Sequence, residues 1–136
     1  MMRRDARGNV SIEFIAITMF LLVPICYIAI STLTVTQAYL TVTSAVRTGA
    51  RTFSIQENDA VARQRATNVI NSQLRLGNLQ PKNFSTHFLC TENPCLKPNG
   101  FVTATIRGSQ IVHFPLLKPV RISINSSQTI EVDAIR

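Results

Sequence analysis

Acidic residues, histidines and cysteines are scarce in this chain: seven Asp and Glu, two His and three Cys in 136 residues. With so few, no nucleophile, base and orienting group can be assembled from its motifs. His87 and His113 each stand in a strand-like alternation, the pattern of surface or structural histidines. Glu57, Asp59, Glu92, Glu131 and Asp133 show no paired spacing with apolar shielding. The chain is also too short for most catalytic folds with a buried cleft. No enzyme activity and no cofactor are expected. The net charge is +7 and the pI about 10.2, yet a nucleic-acid footprint is missing. After Arg3, Arg4 and Arg7 the basic residues are scattered, with no stripe of interleaved aromatics, which argues against direct nucleic-acid binding. Such a balance suits the surface of a membrane, where anionic lipid headgroups attract it.

A second absence is more informative. No charged residue occurs between Phe14 and Val46, and Phe14 to Ile30 is almost wholly apolar. At about 1.5 Å per residue, a helix from Phe14 through Val35 reaches roughly the 30 Å of a bilayer core. Arginines precede this stretch and the first one beyond it is Arg47, so the positive-inside bias puts residues 1–12 in the cytoplasm and the remainder outside. A cleaved secretory signal fits less well, because candidate sites such as Ala29-Ile30-Ser31 are weak. Pro24 should bend the helix or loosen one turn, and Cys26 reads as a small buried hydrophobe.

Residues 32–53 are dense in Thr and Val, which favours strand, but their spacing favours helix. Val35, Ala38, Tyr39, Val42, Ala45, Val46, Gly49 and Phe53 recur at three and four, so the helix is expected to continue with that stripe toward a partner. Ala45, Gly49 and Ala50 would allow another helix to approach closely. A break at residues 56–59 is compatible with either one long helix or two. Asp59 reads as a cap for a helix to Leu76, with Val61, Ala62, Ala66, Val69, Ile70 and Leu74 on its apolar face and Gly77 as the left-handed stop.

From Phe84 the period becomes two. Residues 84–90 read as a strand. Residues 101–107 and 110–114 read as a hairpin about Gly108-Ser109, with Val102, Ala104 and Ile106 on one side. Residues 120–124 and 129–135 suggest a second hairpin about Asn125-Ser126-Ser127. The expected fold is α+β: a long N-terminal transmembrane helix, then a small extracytoplasmic domain with a helix and an antiparallel sheet of four or five strands.

Cys90 and Cys95 flank the Pro-containing loop CTENPC in the part expected to lie outside the cytoplasm. An oxidising compartment favours a local disulfide, free thiols being a second reading. A third adds His87 and His113 as metal ligands, in an H-x2-C-x4-C-x17-H spacing that matches no strong zinc signature.

Glu13 stands at the mouth of the apolar stretch, where an acid is costly unless it is paired or reaches water. The plain reading is a boundary marker. A sharper one gives it a cationic partner: cleavage after Gly8 would create an amine at Asn9, which a neighbouring subunit's Glu13 would neutralise.

Arg7-Gly8 followed by Asn9-Val10-Ser11-Ile12-Glu13-Phe14 and an apolar helix resembles the class III signal of type IV pilin-like proteins. Pro24, the VRTGART run from Val46 to Thr52, and a strand-rich end with Phe114-Pro115-Leu116-Leu117 resemble the TadE/TadF-type minor pseudopilins of tight-adherence (Tad, Flp) pili. The specific motif covers residues 7–30, with weaker likeness to residue 52. The resemblance implies cleavage between Gly8 and Asn9 by a prepilin peptidase, with Glu13 and Phe14 serving processing and assembly. It implies other pilin or pseudopilin subunits, an inner-membrane assembly platform and membrane lipid as partners. Asn9 departs from the apolar first residue common in type IV pilins. The expected organisation is a cytoplasmic leader at 1–8, the spanning and extended helix at 9–58, and the exported domain at 59–136. Two alternatives accompany it: an uncleaved single-pass subunit of an envelope complex, and a small metal-binding or enzymatic module on a membrane tether.

Overall fold

The computed structural model describes residues 9–112 and 118–132. In chain order the elements are α1 (Asn9–Ser54), α2 (Asp59–Leu76), a 3-10 turn (Pro81–Asn83), and strands β1 (Phe84–Cys90), β2 (Phe101–Val112) and β3 (Val120–Glu131). The chain divides into two compact units, residues 1–34 and 35–136.

The first unit holds the apolar part of α1, a helix long and apolar enough to cross a membrane. The helix runs through Pro24. Its large apolar residues from Ile12 to Ile30 are all exposed, whichever way they face. That lack of one buried stripe is what a helix surrounded by an apolar medium shows.

In the second unit the rest of α1 is amphipathic. Ala38, Val42, Ala45, Val46, Ala50 and Phe53 are buried, and Tyr39 of the expected stripe is exposed. The threonines do not divert this region into a strand because their hydroxyls turn back on the helix. Thr43 Oγ1 donates to the Tyr39 carbonyl at 3.0 Å and Thr52 Oγ1 to that of Thr48 at 2.9 Å. The partner of the stripe is within the same chain: α2 and one face of the sheet. A Cβ built at Gly49 would lie 2.5 Å from Ile70 Cδ1, so the glycine sets how near the two helices come.

The break between the helices is real: α1 ends at Ser54 and α2 begins at Asp59. The cap is Asn58 rather than Asp59. Its Oδ1 accepts from the Ala60 N–H at 2.9 Å and from that of Val61 at 3.4 Å, which makes Asp59 the first helical residue. Ala62, Ala66, Ile70 and Leu74 are buried at a spacing of four, while Val61 faces out. At the far end Gly77 keeps a negative φ, and Asn78 takes the left-handed conformation at φ 58°. Leu79 N–H donates to the Leu74 carbonyl at 2.8 Å and Asn78 N–H to that of Arg75 at 3.0 Å, a Schellman stop with Leu74 and Leu79 both buried. Gly77 is needed for space instead: a Cβ there would collide with the Thr41 side chain.

Among the described residues the sheet has three antiparallel strands in the order β1-β2-β3, where four or five were expected. Neither expected hairpin turn exists. Gly108 pairs with both Phe84 and Ile124 inside continuous ladders, and Asn125, Ser126 and Ser127 lie opposite Arg107, Ile106 and Thr105. A Cβ at Gly108 would strike the Phe84 ring and come within 2.5 Å of the Asn83 carbonyl oxygen, so this glycine marks a close approach rather than a turn. The chain reverses between Val112 and Val120, which pair; Phe114-Pro115-Leu116-Leu117 lie there, outside the described residues. Val102, Ala104, Ile106, Val112 and Ile124 turn one face of the sheet to the helices. The other face is open and carries Thr, Ser and charged side chains together with the exposed Leu89, Phe101 and Ile111.

Candidate functional site

Two places hold the residues singled out from the sequence: the start of α1 and the corner where α2 meets the loop between β1 and β2. Gly8 lies outside the described residues, and Asn9 is the first residue of α1. Glu13 and Phe14 follow on the same helix, both exposed, and Glu13 makes no ion pair among the described residues. A helix turns about 100° per residue, so Glu13 shares a face with Ile17. The carboxylate therefore stands at the boundary of an exposed apolar surface. Chemically it can accept protons or hydrogen bonds and balance a positive charge brought to that surface.

At the second place, Cys90 and Cys95 are joined by a disulfide with their Cα atoms 5.2 Å apart. The bond closes the end of β1 onto a loop that contains a cis Asn93-Pro94 peptide. Thr91 N–H donates to the Phe101 carbonyl at 3.1 Å, and Val132 N–H to that of Gly100 at 2.8 Å, tying the loop to the sheet. Cys26, the remaining cysteine, is free and exposed on the apolar helix.

Arg63, which sequence reading passed over, organises this corner. Its guanidinium carbon lies 5.7 Å from the centroid of the buried Phe53 ring, itself stacked on Phe88 at 5.0 Å. Its nitrogens reach the Phe88 carbonyl at 3.5 Å, Cys95 Sγ at 3.4 Å and Asp59 Oδ2 at 3.4 Å. One side chain thus contacts the end of α1, the start of α2, β1 and the disulfide loop. The ion pair to Asp59 is half exposed and contributes at most about 1 kcal/mol. Asp59 Oδ1 is buried without a hydrogen-bond partner among the described residues. The Asp59–Arg63 spacing of four was the one legible sign of this arrangement.

Among the described residues the metal-ligand set does not come together, since Cys90 and Cys95 are joined to each other. His87 lies opposite Thr105 on the open face of the sheet, whereas Cys90 is three residues on and faces the helices. His113 lies outside the described residues. Among the described residues no three His, Cys, Asp or Glu side chains are grouped to hold a metal ion. A shallow open groove of about 630 Å³ lies elsewhere; among the described residues it is lined by Arg75, Asn78, Leu79, Gln80, Pro81, Asn83, Gln110 and Ile111. The chain matches no family model, no curated protein and no solved structure.

Proposed function

We propose that this protein is a minor pseudopilin of a Tad-type pilus, made as a single-pass precursor in the bacterial inner membrane and matured by a prepilin peptidase. The observation that carries the reading is Glu13, five residues beyond Gly8, at the mouth of an uncharged helix long enough to span a bilayer. The arginines before Gly8 hold the leader in the cytoplasm, and residues beyond the span are exported. Cutting after Gly8 removes those arginines and frees the Asn9 amine. Glu13 of a neighbouring pilin or pseudopilin subunit then neutralises that amine where neither charge is well solvated. Exposed apolar side chains from Phe14 to Ile30 give lipid, and afterwards other subunits or the assembly platform, a surface to pack against. The protein catalyses nothing in this scheme. It is a substrate and then a building block, with adhesion, biofilm formation or secretion as the output.

Intact mass of the protein taken from membranes tests the proposal. A chain that begins at Asn9, with or without a methyl group, supports it, and one that retains residues 1–8 supports the uncleaved envelope subunit instead. Glu13→Ala should mature or assemble poorly. If it enters pili as the parent does, the pairing of amine and carboxylate is wrong.

A further inference from the structure

The second unit has two distinguishable ends. At one, Phe53 near the close of α1 packs beside Ala62, Val102 and Val132. The other is where α1 enters the unit, at Val35. α2 runs back toward this entry end, since Ile70 lies against Gly49 and Gly77 against Thr41. β2 runs the same way. It passes from Val102 in the Phe53 cluster to Gln110 and Ile111, which line one groove with Arg75, Asn78 and Pro81. Val112 and its partner Val120 lie a step further on.

Charge is sorted between these ends. Among the described residues every acid of the unit is at the Phe53 end: Glu57 and Asp59 at the turn between the helices, Glu92 in the disulfide loop, and Glu131 opposite Phe101. Basic residues are mixed with them, and the ion pairs Asp59–Arg63 and Glu92–Lys97 form there. The entry end carries Arg75, Lys82, Arg107, Lys118 and Arg121, all exposed, and no acid among the described residues. None of these side chains makes an ion pair among the described residues. Leu76, Ile111 and Val120 are exposed beside them.

We propose that the entry end rests on the anionic headgroups of the lipid surface from which α1 emerges. The proposal rests on the reading of α1 as a single-pass span and is independent of cleavage after Gly8. Lipid is the occupant because of charge and reach. With the span running from Phe14 to Val35, Thr41 stands about 9 Å beyond it at ~1.5 Å per residue, within the roughly 8–10 Å over which surface charge acts. Lipid phosphates accept hydrogen bonds from Arg75, Lys82, Lys118 and Arg121. Leu76, Ile111 and Val120 give the headgroup boundary an apolar footing between the cations.

The chain has no tryptophan, so a single introduced one reports alone. The full chain is reconstituted in vesicles of phosphatidylglycerol and phosphatidylcholine, or of phosphatidylcholine alone, with a headgroup spin-labelled lipid as quencher. Val120→Trp and Leu76→Trp should each be quenched on the order of threefold more strongly in the anionic vesicles, and either suffices if the other disturbs the fold. Leu89→Trp, exposed at the Phe53 end, should be quenched weakly in both. Salt at about 1 M, where the screening length falls to roughly 3 Å, should remove the difference, as should Lys118→Glu combined with Arg121→Glu. Phe20→Trp with an acyl-chain quencher checks the span separately. Quenching at Phe20→Trp without the anionic preference at Val120→Trp and Leu76→Trp overturns the docking and leaves the span standing; no quenching at Phe20→Trp overturns both. An entry end covered by a second copy of the chain or another protein keeps the headgroup quencher away and overturns the proposal, as does equal quenching of Leu89→Trp and Val120→Trp.

Discussion

Phe20 and Phe53 belong to the same helix and meet opposite surroundings. Phe20 is 85% exposed, with apolar neighbours exposed on every side of the helix, and Phe53 is fully buried between Phe88 and Arg63. Around Phe20 the sequence offers no polar face, so nothing distinguishes a side for the rest of the chain to cover. Around Phe53 small and branched apolar residues recur at three and four, and Thr and Arg occupy the other side. A helix that is apolar all round asks for an apolar surrounding, whereas a striped one asks for a partner. The partner here is α2 and the sheet. Hydrophobicity alone therefore misjudges the two regions; the pattern separates them.

The sharpest way to break this contrast is to truncate both rings. Phe53→Ala should destabilise the second unit by about 3–5 kcal/mol, through lost burial, lost stacking and a cavity. Phe20→Ala should leave its unfolding transition within about 0.5 kcal/mol, as surface changes do. Denaturant unfolding of the detergent-solubilised full chain, followed by near-ultraviolet circular dichroism, measures both. Equal losses would mean that Phe20 supports the folded unit too. A charge tests the same contrast from the other side. Leu22→Arg, at an exposed position in the apolar part of α1, should cost about 2.5–3.5 kcal/mol of membrane insertion. Its measure is the share of protein that resists alkaline extraction from membranes; unchanged retention would show that residues near Leu22 are not in hydrocarbon.

How much of this was readable beforehand depends on how local the cause is. The long helix, α2 and the inward face of Val102, Ala104 and Ile106 were legible, because a period of three to four or of two is written in neighbouring residues. Gly108-Ser109 and Asn125-Ser126-Ser127 misled because turn residues also occupy strand interiors. What decides at Gly108 is the Phe84 ring, 24 positions away, which no local window contains. Gly77 is the same kind of case, answering to Thr41 while Asn78 supplies the left-handed residue. For the candidate site, the position of Glu13 at the edge of an apolar run was plain from composition. The junction around Arg63 was not, since its contacts with Phe53, Phe88 and Cys95 join four separate elements.

The smallest effect expected tests where the striped region reverses on itself. Asn58 and Asp59 are both good capping residues, and sequence alone does not choose between them. In the structure Asn58 is extended, at φ −121° and ψ 129°, and its carboxamide oxygen takes the N–H groups of Ala60 and Val61. Asp59 is already helical and spends one oxygen on Arg63. Asn58→Ala should therefore cost about 1 kcal/mol by leaving two helix-end donors to water. Asp59→Ala removes a half-exposed ion pair and a favourable charge in the first turn, and should cost about 0.5 kcal/mol. Thermal unfolding of the two variants in parallel decides the order. If Asp59→Ala proves the more damaging, α2 is held at its start through Arg63 and the disulfide corner, and the cap at Asn58 is secondary.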